Sequence, residues 1–309
     1  MIVGTVREIW RYPFKSMSGE RLDCCSLTAA GILGDRGWAL RDDTAGEIRG
    51  AKKFPVLMQC TARYRQPPTA AQRCPHVDIT LPDGGRIGSD APDVSGRLSQ
   101  LLGRPVSLWP LQAASNKAHY RRAQPGAALI GLLSRSQTFR RLFQTLARHT
   151  SLEAELRRDF SREPDEPIPD LSVFPAELFE FASPPGTYFD AFPLHLLTTA
   201  SLAAMARLNP GAVWDVRRFR PNLLIATADG SEGLVESAWC GRVLRIGDVQ
   251  VRCELPAPRC GMTTHAQGDL PKDPSVLRTI VRDAGQNLGV YAGVVSAGRV
   301  AVGDVVELQ

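Results

Sequence analysis

Cys-x-x-Cys spacing is absent from this chain, although it holds seven cysteines: Cys24, Cys25, Cys60, Cys74, Cys240, Cys253 and Cys260. That absence argues against a zinc ribbon and against an iron–sulfur cluster of standard spacing. The adjacent pair Cys24-Cys25 is poorly placed to close a disulfide on itself. No apolar stretch approaches the length that spans a bilayer. The start, Met1-Ile2-Val3-Gly4-Thr5-Val6-Arg7, lacks the charged and apolar regions of a secretory signal. Together these absences predict a reduced, cytoplasmic protein without a membrane span. Charge of one sign is also scarce, with 37 Lys and Arg against 32 Asp and Glu for a net +5. Such a balance suits an anionic ligand or cofactor and falls far short of the dense basic patch of a nucleic-acid binder. Internal repeats and low-complexity tracts are missing too.

What is present is an ordinary globular composition, 43% hydrophobic and 22% charged over 309 residues. That length exceeds the usual size of one hydrophobic core and predicts two subdomains. Short apolar runs punctuated by Gly and Pro fill the first third: Val3 to Trp10, Leu22 to Leu27, Trp38 to Leu40, Val56 to Met58, Val77 to Ile79 and Val106 to Trp109. They predict a small β barrel or sandwich over residues 1–111. Residues 112–190 form a helical or irregular connection. Within it, Ser136 to His149 puts Phe139, Leu142, Phe143 and Leu146 at helical spacing, with Arg140, Arg141 and Arg148 on other faces. Such a helix serves either as a membrane-surface or partner element or as a cap packed on the body. Arg157 to Pro175 reads as an irregular loop. Residues 191–309 return to β. They include a helix from Thr199 as N-cap to Leu208, a hairpin turning at Gly247-Asp248, a helix over Pro274 to Arg282, and final strands Val290 to Val295 and Val300 to Leu308. The fold class is mainly β with some helix (α+β).

Cys260 carries the chemistry that stands out. It follows Pro256-Ala257-Pro258-Arg259 and precedes Gly261-Met262-Thr263-Thr264. A thiol beside a fixed cation loses its proton more readily, and the thiolate attacks electrophiles or binds soft metals. The alternative is a half-buried strand-end cysteine without chemistry. Four segments place an anion-binding side chain at a strand edge or turn: Tyr12 to Ser16, Gly34 to Arg36, Arg220 to Asn222, and Pro258 to Cys260.

Tyr12-Pro13-x-Lys15-Ser16 and Gly31-x-x-x-Asp35-Arg36-x-Trp38 resemble the N-terminal β-barrel domain that precedes MOSC domains. Arg218-Phe219-Arg220-Pro221-Asn222, Glu236-x-x-Trp239, Ile246-Gly247-Asp248-Val249, Arg259-Cys260-x-x-Thr263-Thr264, Gly289-Val290-Tyr291 and Val302-Gly303-Asp304 resemble the MOSC core, in the family's order. The pattern is similar to that of the mitochondrial amidoxime-reducing components and their bacterial relatives. This resemblance implies a molybdenum cofactor (molybdopterin) between two β units, with Cys260 as the protein thiolate on the metal. It implies that Lys15, Ser16 and Arg36 hold the pterin and phosphate from one side, and Arg220, Asn222 and Arg259 from the other. Ser201 would donate to the phosphate at a helix start. Tyr291 falls at a family position near the cofactor or is a core aromatic. The family is also associated with pyridoxal phosphate binding.

After Thr264 the chain departs from the family's acidic, proline- and glycine-containing turn and reads His265-Ala266-Gln267-Gly268-Asp269. His265 is a candidate proton donor on the substrate side or an exposed loop residue. The resemblance implies reduction of hydroxylamines, amidoximes or N-oxides. Electrons would come from a separate ferredoxin- or cytochrome-type donor with its reductase, since the chain ends without a ferredoxin extension. Two other functions fit the residues: sulfur transfer through Cys260, and a non-catalytic module binding an anionic partner.

Overall fold

The computed structural model describes residues 1–124, 126–147 and 151–309. The first half contains strands β1 (Ile2–Arg11), β2 (Glu20–Leu22), β3 (Cys24–Thr28), β4 (Gly31–Ile32), β5 (Trp38–Asp42), β6 (Glu47–Arg49), β7 (Thr61–Tyr64), β8 (Val77–Thr80) and β9 (Arg86–Gly88), then helix α1 (Val94–Leu102) and β10 (Val106–Pro110). A helical stretch follows: α2 (Lys117–Tyr120), α3 (Ala127–Leu133), α4 (Gln137–Ala147), α5 (Ser151–Phe160) and α6 (Glu177–Glu180). The last part holds β11 (Leu194–Thr198), α7 (Thr199–Leu208), β12 (Leu223–Thr227), β13 (Val243–Ile246), β14 (Val249–Pro258), α8 (Pro274–Asp283), β15 (Asn287–Ser296), β16 (Gly298–Ala301) and β17 (Val305–Leu308).

Seven strands close into a barrel in the order β12-β11-β15-β14-β13-β17-β1, with β1 pairing back onto β12. Closure leaves no unpaired edge along the ring. The stave from the far end of the sequence is β1, whose residues Gly4 to Ile9 run antiparallel to Thr227 to Leu223. Its Val6 and Ile9 point inward and meet Leu196, Ile225, Leu244, Val251 and Val290 in one apolar core. Each such buried aliphatic contributes about 1.5–3 kcal/mol. A second core, centred on Phe14, Trp38, Leu57, Ile79 and Leu98, lies under the sheets β10-β5-β6 and β7-β8-β9. The two ends of the chain interlock again where β16 pairs with β3, with Val300 opposite Cys25.

Several elements differ from the sequence expectation. The strand expected over Leu22 to Leu27 breaks at Asp23, so that β2 stays on β1 while β3 crosses to β16. Val56-Leu57-Met58 lies in a 3-10 turn opened by Pro55, and Leu57 and Met58 are buried. Val300 to Leu308 is two strands, because Gly303 (φ 93°) turns the chain from one sheet to the barrel. Arg157 to Phe160, expected in a loop, completes α5. The N-cap of α7 is Thr198 rather than Thr199, its hydroxyl accepting from the Ser201 amide at 3.1 Å. Helix α4 occupies most of the expected Ser136–His149 span; the side chain of Leu146, with Arg148 and His149, lies outside the described residues.

Beside α7 the carboxyl of Glu236, fully buried, accepts from Thr198 Oγ1 at 2.7 Å and Ser201 Oγ at 2.5 Å, while its Oε1 has no hydrogen-bond partner among the described residues. Burial pushes its pKa up, only partly offset by the two hydroxyls. Its folded value therefore lies above the unfolded one, near 4.3. The stability it contributes is complete below the unfolded value and is lost as pH rises through the folded one. The midpoint of thermal unfolding followed by circular dichroism should fall as pH rises above the unfolded value, and Glu236→Gln should flatten that slope. An unchanged slope would refute the assignment.

Candidate functional site

Six segments distant in sequence open onto one cleft of about 720 Å³, part of it open to solvent. The turn after β1 brings Lys15 and Ser16, and the turn before β5 brings Arg36. The approach to β12 brings Arg220 and Asn222, and the end of β14 brings Arg259 and Cys260. Strands β11 and β15 add His195 and Tyr291. The backbone is bent to present them. The non-glycine residues with positive φ among those described are Ser16 (73°), Arg36 (49°), Ser161 (52°), Arg220 (54°) and Gln286 (72°). Three of them line the cleft, and the other two back it. Ser161 abuts Gly261, where an added Cβ would come within 2.1 Å of its hydroxyl, and the Gln286 carbonyl accepts from the Arg259 amide at 2.9 Å. Left-handed backbone at a side-chain-bearing residue costs on the order of 1–3 kcal/mol and gathers at functional sites.

Positive charge dominates the walls. Lys15 Nζ donates to Asp190 Oδ1 at 2.6 Å and to the Tyr188 carbonyl at 2.9 Å. Burial lowers the Lys15 pKa and Asp190 works against it; the Asp190 carboxyl, despite its own burial penalty, is held well below the usual range by Lys15 and Lys52. Arg36 pairs with buried Asp35 and lies 4.7 Å from the Tyr12 ring centroid, with Arg220 at 4.2 Å from the same ring. Arg220 and Arg259 form no ion pair among the described residues. Arg220 Nη1 donates to the Met17 carbonyl at 2.6 Å, and burial brings its pKa down to about 10. Arg259 Nη2 donates to the Phe219 carbonyl at 2.7 Å, while its buried Nε has no hydrogen-bond partner among the described residues. A buried cation without a counter-ion, as at Arg220, is costly, and an anionic ligand in the cleft would relieve that cost.

The sulfur of Cys260 is half-buried and free. The sequence places Arg259 as its activating neighbour, but that guanidinium turns to Phe219 and His195. A second cation, Arg162, follows α5 and reaches the same loop. Burial pushes its pKa down to about 10 against the opposing pull of Glu166 and Cys260. Arg162 Nη2 also donates to the Arg259 carbonyl at 2.9 Å, fixing the loop that carries the thiol.

Other expected residues take different positions. Ser201 is fully buried with its hydroxyl bound to Glu236, and it does not line the cleft. A phosphate donor there is corrected to a structural hydrogen bond. His265 caps the 3-10 turn Gly261–Thr264 and lines neither the cleft nor the cavity beside it. The histidine in the cleft is His195, overlooked because a lone histidine in an apolar strand reads as core. Burial first and Arg259 second hold its pKa well below the ordinary value, so it is neutral. Its Nε2 lies 3.1 Å from the Leu288 carbonyl, and at Gly289 (φ 82°) a Cβ would come within 2.2 Å of that nitrogen. Ser16 and Asn222 line the cleft with their polar atoms already engaged. Ser16 Oγ accepts from the Ala51 amide at 2.9 Å. Asn222 accepts from the His195 amide at 3.1 Å and donates to Asp35 Oδ2 at 2.9 Å. Tyr291 faces the cleft, stacked on Phe192 at 5.4 Å, and burial pushes its phenol up to about 12. Asp190 and Arg162 belong to the site without any local sequence signal.

Two family models cover most of the chain: the MOSC N-terminal beta barrel domain over residues 3–116 and the MOSC domain over residues 185–307. The chain belongs to the MOSC family. Among curated proteins, this MOSC protein is 28% identical to mitochondrial amidoxime reducing component 2 of Bos taurus over 273 residues, 85% of this chain and 66% of that one. It is 27% identical to the Homo sapiens protein of the same name over 276 residues, 85% of this chain and 67% of that one. The chain thus spans about two thirds of the length of these relatives. Among solved structures, the YUAD protein from Bacillus subtilis covers 99% of this chain and 95% of its own at 10% identity, with a TM-score of 0.39. That score is too low to establish a shared fold.

MOSC domains are associated with the molybdenum cofactor, and the residues present fit that group. A free thiol provides a soft ligand, and the two unpaired guanidiniums with the orphaned Arg259 Nε match an anionic pterin phosphate. Asn222 is the joint between the cleft walls. Asn222→Ala should cost about 1–3 kcal/mol by leaving the Asp35 carboxylate and the His195 amide unsatisfied, read by urea denaturation. A loss below a few tenths would contradict that role.

Proposed function

We propose that this MOSC protein holds a molybdenum cofactor in the cationic cleft and reduces N-oxygenated substrates of the hydroxylamine, amidoxime or N-oxide type. The observation that carries the reading is a free, half-buried thiol in one cleft with guanidiniums that form no ion pair among the described residues. When bound, the cofactor supplies two-electron chemistry and an acceptor for the substrate oxygen.

The protein's own groups have separable roles. Cys260 presents sulfur to the metal, and Arg162 holds its loop. Arg36, Arg220 and Arg259 bind the anionic part, with Arg36 and Arg220 kept in place by the Tyr12 ring. Lys15 keeps the Asp190 carboxylate ionised where the cleft opens, so Asp190 accepts a hydrogen bond from an N–H or O–H of the bound group. Tyr291 keeps its proton at Oη through neutral pH and serves as a donor. Electrons come from a separate ferredoxin- or cytochrome-type partner with its reductase.

Protein expressed in a cofactor-replete host should contain molybdenum equimolar with the chain, with an ultraviolet–visible signature that disappears in Cys260→Ala. Arg220→Met should weaken cofactor retention while leaving Cys260 in place. Metal analysis finding no molybdenum would overturn the reading, and mass spectrometry showing an added sulfur on a metal-free Cys260 would point to sulfur transfer instead.

A further inference from the structure

Helices α3 to α6 take no part in the cationic cleft, yet they enclose a second cavity that opens onto the same thiol. It measures about 1510 Å³ including the part open to solvent, roughly twice the cleft. Cys260, Pro258, Tyr291, Asp190 and Ala191 line both, so the two spaces meet at the sulfur. Away from that junction the wall is largely apolar: Ile130 from α3, Phe143 from α4, Leu156 and Phe160 from α5, and Leu178 and Phe179 from α6. Phe143 and Phe179 meet edge to face at 6.2 Å across it.

The accompanying charges are partly engaged elsewhere. Asp159 pairs with Lys53 at 3.1 Å, Arg122 Nε donates to the Leu178 carbonyl at 3.2 Å, and Lys52 Nζ lies 4.9 Å from the Phe160 ring centroid. The cavity is also fixed relative to the thiol. Arg162 donates from Nη2 to the Arg259 carbonyl at 2.9 Å and from Nε to Gln286 Oε1 at 3.2 Å. Ser161 seats on the bare face of Gly261. A concave, mainly apolar space that ends at one reactive group is the form of a small-molecule subsite.

We infer that α3 to α6 build a binding site for the apolar body of an amphipathic substrate whose polar head reaches Cys260. The class is an alkyl- or aryl-bearing molecule rather than a small hydroxylamine or a polyanion. The head-group assignment rests on the redox reading above, whereas the apolar subsite does not.

Two probe series separate the ideas. Binding of para-n-alkylbenzamides, which lack an N–O bond, to the cofactor-loaded protein is measured by calorimetry from methyl to hexyl. Turnover of the matching para-n-alkylbenzamidoximes is followed in parallel. Affinity should rise with each added methylene, up to about fourfold at full burial, the ratio equivalent to about 0.8 kcal/mol per CH₂. In Leu178→Ser, or in Phe143→Ser should the first variant fold poorly by circular dichroism, the ratio of hexyl to methyl affinity should fall at least several-fold. Affinity independent of chain length in the unmodified protein would overturn the subsite, whatever the variants do. Chain-length dependence without amidoxime reduction would overturn the redox reading and leave the subsite standing; reduction with a flat KM series would do the reverse.

Discussion

Two guanidiniums in the cleft, the buried one of Arg220 and the half-buried one of Arg259, have main-chain carbonyls as their hydrogen-bond acceptors and no carboxylate partner among the described residues. Removing such charges from water is expensive unless they are paired, and the fold carries that burden at one place. The left-handed backbone at Ser16, Arg36 and Arg220 adds to it. Both costs are sustained by the closed barrel, where the pairing of β1 with β12 brings the turn after β1 to the approach of β12. Tyr12 sits at this seam. Its ring lies beside Arg36 and Arg220, and its hydroxyl donates to the Pro221 carbonyl at 3.0 Å.

The same seam explains why Asn222 and Asp35 are buried although neither is free to bind a ligand. Asp35 accepts from the Tyr12 amide at 2.7 Å, pairs with Arg36 and takes a bond from Asn222. One carboxylate thereby ties three walls of the cleft. The thiol loop is fixed by a different device. Arg162 reaches it from the helical stretch, so the segment that encloses the apolar cavity also positions Cys260. Packing of the helical stretch and geometry at the sulfur are coupled through that side chain and through Ser161 seated on Gly261.

Most strands were legible as short apolar runs punctuated by glycine and proline, because strand periodicity is a local property, but of the segment expected as a barrel over residues 1–111 only β1 joins the seven-strand ring. The misreadings came where a run changes partner. Asp23 and Gly303 break apparent single strands so that the chain can switch sheets, and Pro55 turns an apolar triplet into a buried 3-10 turn. The basic and thiol residues of the site were legible for the same reason: Lys15, Arg36, Arg220, Arg259 and Cys260 each stand in a short motif. Ser201 and His265 were misplaced because neither a helix-start position nor a residue's titration range says which way a side chain turns.

The sequence by itself determined the order of short strands and which residue types could bind an anion or a soft metal, since both follow from neighbours a few positions apart. Only the tertiary structure decided that His195 rather than His265 enters the cleft, that Arg162 holds the loop carrying the thiol, and that Ser201 is given over to Glu236. Each of those outcomes rests on contacts between segments tens of residues apart, set by barrel closure and burial, and no local pattern carries that information.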